Sequence, residues 1–101
     1  MFFSLEQQRN TRFPNNYRLG NLILNTDNGW HTQDVGSKFF IYKGYADDCT
    51  MQQVISDLSI KYTGNFCVIE YRATSGEIKF YTDKWRQFTF FGKEGSCLSN
   101  F

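Results

Sequence analysis

A chain of 101 residues with a formal net charge of +1 reads as one small domain, 1–101, with room for a single modest core. Near-neutrality removes any general electrostatic pull toward nucleic acid or anionic lipid, and no apolar run approaches the roughly 20 residues that span a bilayer. Aromatic residues make up 19% of the chain and proline occurs once, which points to a packed, β-rich domain and away from disorder.

The opening Met1-Phe2-Phe3-Ser4-Leu5-Glu6 turns polar too early for a signal peptide. Three cysteines at irregular spacing make no disulfide framework, so the expectation is a soluble cytoplasmic protein with free thiols and no membrane association. In chain order, residues 1–5 read as a short strand, 6–16 as a polar loop containing Pro14, and 20–25 as a second short strand. Asp27-Asn28-Gly29 supplies a turn, because Asn and Gly tolerate positive φ. Residues 30–36 read as an irregular or weakly extended connection.

Lys38-Phe39-Phe40-Ile41-Tyr42 is the first strong strand, and its unbroken apolar character predicts burial on both faces. Residues 50–62 are the predicted helix, since Met51, Val54, Ile55, Leu58 and Tyr62 recur at spacings of three and four. Thr50 with Gln53 forms a capping-box pattern, Asp47 and Asp48 stand beside the positive helix start, and Gly64 lies where a left-handed cap is wanted. Residues 65–71 and 77–83 pair as a hairpin across Arg72-Ala73-Thr74-Ser75-Gly76. Residues 86–91 form a further strand, and the tail 92–101 has turn composition. The expected fold class is α+β: about six strands in a mostly antiparallel sheet with one main helix on one face. Apolar residues on both faces after position 37 ask for a second layer, from more chain or from a partner.

Gly64-Asn65-Phe66-Cys67-Val68-Ile69, followed by Ile78-Lys79-Phe80-Tyr81-Thr82-Asp83-Lys84-Trp85-Arg86 and Phe88, resembles the glutaminase domain of class II glutamine amidotransferases. The likeness covers roughly residues 30–91, takes in Trp30 and Lys43-Gly44-Tyr45, and is greatest to the N-terminal domain of asparagine-synthase-like proteins. It implies part of an Ntn-hydrolase sandwich, truncated relative to the family's domain. The family hydrolyses glutamine with an N-terminal Cys whose own amine acts as base. Here Phe2 and Phe3 stand in that region, and Ser4 is the nearest nucleophile type. The family's Asn-Gly oxyanion element aligns with Lys43-Gly44, which lacks the amide donor, and its amine-gripping acid aligns with Asp48. The synthetase half is absent from the sequence.

Each candidate also has a plainer structural reading. Asp48 complements a helix start, Gly44 makes a turn, and Asp83 with Arg86 forms a turn-locking pair. His31 and Cys49, Cys67 and Cys97 lack the short spacings of a zinc site, so no metal and no cofactor is expected. Cys67 alternates within an apolar strand and reads as core, while Cys49 reads as the most exposed thiol. Lys79, Lys84, Arg86 and Lys93 interleave with Phe80, Tyr81, Trp85 and Phe88, a pattern that can stack single-stranded nucleic acid. Lys43-Gly44-Tyr45-Ala46 begins like an RNA-recognition signature but continues with Asp47-Asp48 where an aromatic strand must follow.

The leading expectation is therefore a degenerate amidotransferase-like domain, a pseudoenzyme without glutaminase activity. Its ligand-binding residues would be Lys43, Gly44 and Asp48, with Asp83 and Arg86 as a structural pair. Glutamine or another amino acid, and a protein partner or second copy over an open sheet face, are the partners this reading implies. The alternatives are a fragment of an active asparagine-synthase-like amidotransferase, and a nucleic-acid or protein adaptor built on the C-terminal aromatic–basic hairpin.

Overall fold

A computed structural model describes residues 3–84, 91–93 and 97–99 of the chain. Among these residues there are nine strands and one short helix, and every strand pairing is antiparallel. The class is α+β with mostly antiparallel sheet, as composition and periodicity predict.

The elements fall into two compact units. The first holds β1 (Phe3–Glu6), β2 (Asn15–Leu19), β3 (Leu22–Thr26), β8 (Phe91–Lys93) and β9 (Cys97–Ser99), in the sheet order β2-β3-β1-β9-β8. Leu5 pairs with Leu24 across β1 and β3, and both are buried together with Phe3 and Leu19. Trp30 packs edge-on against Phe3 at 5.9 Å and donates its indole N–H to Asp27 Oδ1 at 2.6 Å. Asn25 is fully buried and acts as a polar hub. Its Oδ1 accepts from Asn10 N–H at 3.0 Å and from Asn16 Nδ2 at 2.6 Å, which ties the polar stretch before β2 to the sheet.

The second unit holds β4 (His31–Val35), β5 (Lys38–Ala46), α1 (Met51–Ser56), β6 (Gly64–Arg72) and β7 (Glu77–Thr82), with the sheet order β4-β5-β6-β7. β5 and β6 pair along their whole length, with Phe40 opposite Glu70, Tyr42 opposite Val68 and Gly44 opposite Phe66. The period-2 alternation of strands then puts Phe40, Tyr42, Phe66 and Val68 on one face, where Val54 and Ile55 of α1 pack against them. Full burial of a Val of this kind contributes about 1.5–3 kcal/mol. On the opposite face Ile41, Cys67 and Ile69 have no solvent exposure.

The helix differs from its predicted extent. Its start is as predicted: Thr50 Oγ1 accepts from Gln53 N–H at 3.2 Å, and Gln53 Oε1 accepts from Thr50 N–H at 2.9 Å. Its end comes at Ser56, six residues short of position 62. The cause is local, because Asp57 Oδ1 takes both the N–H and the hydroxyl of Ser59, at 3.2 and 2.5 Å, and offers the chain a turn in place of another helical bond. Leu58 and Tyr62 still pack against the apolar cluster, from a non-helical segment. Gly64 accordingly caps no helix and opens β6.

Gly44 lies inside β5 rather than in a turn after it, at φ 110°. A Cβ there would meet the carbonyl oxygen of Asn65 and stand 2.6 Å from Phe66 Cα, and Gly64 makes the reciprocal close approach to Tyr45 and Ala46. Gly44→Ala should therefore destabilise the fold by about 3 kcal/mol or more in urea unfolding. Gly76→Ala, at φ 72° but facing open space, should cost only about 1 kcal/mol.

Candidate functional site

β5 leads into the helix cap through an exposed loop, and the chain returns past it before entering β6. Asp47 N–H donates to Thr63 O at 2.9 Å and fixes the two passages side by side. Between them lies a recess of about 150 Å³ lined by Ala46, Asp48 and Cys49 on one side and by Lys61, Tyr62 and Thr63 on the other. Asp48 and Lys61 are both exposed, so the recess carries one negative and one positive side chain at its surface.

Of the sequence-predicted ligand residues, only Asp48 is in this recess. Lys43 and Gly44 lie back along β5, opposite Cys67 and Phe66, and do not line it. The close backbone approach at Gly44 is to β6. Lys61 was invisible to the sequence reading, because the bend after Ser56 brings it to Asp48 and helical spacing placed it elsewhere. Tyr62 closes the recess, and its hydroxyl donates to Asp57 O at 2.8 Å.

The predicted Asp83–Arg86 pair has one member in view. Asp83 is buried and its Oδ1 accepts from Phe66 N–H at 3.4 Å, while Arg86 lies outside the described residues. The aromatic–basic hairpin is likewise only partly described. Phe80 and Tyr81 are neighbours in β7 and so face opposite sides of the sheet, with Tyr81 against the helix-side cluster. Lys79 pairs with Glu77 at 3.3 Å, and the buried Glu70 carboxylate accepts from Arg72 Nε at 2.8 Å. Trp85 and Phe88 lie outside the described residues.

Cys67 and the His31 imidazole do not assemble into a nucleophilic pair. His31 stacks on Tyr42 at 5.5 Å, on the face that carries the helix, whereas Cys67 points to the other face. Burial, reinforced by the charge of Asp83, pushes the Cys67 thiol up to about 12 from an ordinary 9.0. Among the described residues no three His, Cys, Asp or Glu side chains are grouped to hold a metal ion, and no helix is long and apolar enough to cross a membrane. No known family, curated protein or solved structure matches this chain.

The Cys67 thiol makes stability depend on alkaline pH. Its folded-state value lies above the unfolded one, so the contribution is complete below pH 9 and is lost as pH rises toward 12. The stability difference between the wild-type chain and Cys67→Ala should shrink by about 1 kcal/mol from pH 8 to pH 10, measured by urea unfolding. A difference that stays flat over that range would mean the thiol is not held neutral by burial.

Proposed function

We propose that this chain is a binding module for a small amino-acid ligand, derived from a class II amidotransferase-like domain and working without glutamine hydrolysis. The observation that carries the reading is the recess whose lining includes both Asp48 and Lys61. A carboxylate and an ammonium in one recess match the ammonium and carboxylate of an amino acid, and charged hydrogen bonds of this kind are the strong ones. The resemblance supports the same residue, since Asp48 aligns with the acid that grips the glutamine amine.

Hydrolysis is disfavoured by what surrounds the candidate groups. Cys67 is buried and its thiol is held protonated. Lys43-Gly44 offers no side-chain amide donor for an oxyanion, and Gly44 faces the backbone of β6. A nucleic-acid platform finds less support, because consecutive aromatics on a strand cannot stack bases on one surface.

Glutamine titrated into the labelled protein, with asparagine and glutamate as controls, should give saturable amide shifts at residues 46–49 and 61–63. Asp48→Asn should weaken the apparent affinity about tenfold, the loss of one charged contact. No ammonia should be released. Absence of shifts at about 10 mM glutamine, where a millimolar site would be saturated, sinks the binding reading, and ammonia release sinks the non-hydrolytic one.

A further inference from the structure

A second cavity, of about 140 Å³, opens between α1, the segment after it, and the ends of β6 and β7. Val54, Leu58, Phe66 and Tyr81 contribute apolar and aromatic side chains to a lining that is mostly polar at its surface, and Asp83 stands among them. The Asp83 side chain is 2% exposed, and its Oδ2 has no hydrogen-bond partner among the described residues. An ionised carboxylate offers about four lone-pair sites, and this one has a single 3.4 Å bond to Phe66 N–H. Buried polar oxygens are ordinarily satisfied, so an unsatisfied carboxylate beside a cavity marks a place for a donor that arrives from outside.

The chemistry of that donor follows from the walls. Aromatic faces attract an ammonium through their quadrupole, and Asp83 supplies the counter-charge. Lys61 and Lys84 also line the cavity, and Lys61 is exposed while Asp83 is buried. Negative charge therefore lies deep and positive charge at the mouth. A bare cation would meet Lys61, and a bare anion would meet Asp83. A molecule with its ammonium leading and a carboxylate trailing satisfies both. Its volume of about 140 Å³ suits a ligand of only a few heavy atoms.

We propose that this cavity is a subsite for a short aliphatic amino-acid zwitterion, its ammonium on Asp83 Oδ2 and its carboxylate beside Lys61. The site is distinct from the Asp48 recess; Lys61 and Tyr62 form the wall between the two.

The test is an amide-shift titration of the full chain with β-alanine, and separately with propylammonium and propionate. It is run on the wild type and on Asp83→Asn, Leu58→Trp and Asp48→Asn. β-Alanine should give saturable shifts at Phe66 and at residues 81–84, with propylammonium weaker and propionate without effect there. Asp83→Asn should weaken the apparent affinity at least about tenfold, Leu58→Trp should fill the cavity and abolish the shifts, and Asp48→Asn should leave them unchanged. No saturable shift in the wild type, propionate binding as well as β-alanine, or full affinity in Asp83→Asn would each overturn the subsite. Should Asp83→Asn fail to fold, Leu58→Trp decides, since undiminished binding there places the ligand elsewhere. Shifts confined to residues 46–49 and lost in Asp48→Asn would overturn it while leaving the Asp48 recess standing.

Discussion

The nine-residue pairing of β5 with β6 is the constraint on which the second unit rests. Its register decides which side chains meet α1 and which turn away, and a slip of one residue would exchange Phe40, Tyr42, Phe66 and Val68 for their neighbours on the other face. Gly44 and Gly64 act as mutual stops. Each occupies a strand position where its partner's backbone stands too close for a side chain, so the two strands converge at that end. The convergence places the end of β5 and the start of β6 against each other, and the candidate recess is built from the loops that leave them.

How far this was legible in the sequence depends on whether the deciding contact is local. The start of α1 was legible because Thr50 and Gln53 bond to each other three residues apart. The strands β5 and β6 were legible because their apolar runs have no other use. The helix end was not, although the signal was present at Asp57-Leu58-Ser59. Leu58 and Tyr62 stand at helical spacing from Val54 and Ile55 and pack on the same cluster, so periodicity alone extended the helix through a turn. β2 and β4 were missed for a different reason. Asn15-Asn16-Tyr17-Arg18-Leu19 is held largely by polar contacts such as Asn16 to Asn25, and His31-Thr32-Gln33-Asp34-Val35 is a mostly exposed edge with no apolar alternation.

The site shows the same division. Asp48 was legible as a charge beside a helix start, a local property. Lys61 was not, because its place in one recess with Asp48 depends on where the helix stops. On a helix running through position 62, Lys61 would be carried about three turns along the axis from the cap. Asp83 was legible as an acid at a strand end. Its burial against Phe66 and its unpaired oxygen belong to the β6–β7 register, which no spacing along the chain reveals.

One short turn thus has consequences beyond the helix it ends. Asp57 draws the chain off the helical path, and residues 58–62 cross in front of the sheet end instead of rising above it. That passage runs between the surface recess at Asp48 and the cavity at Asp83, and Lys61 and Tyr62 line both. The segment has no intrahelical ladder and is held instead by the Asp57 bonds, by Lys84 N–H to Tyr62 O at 2.7 Å and by the packing of Leu58 and Tyr62 on the cluster.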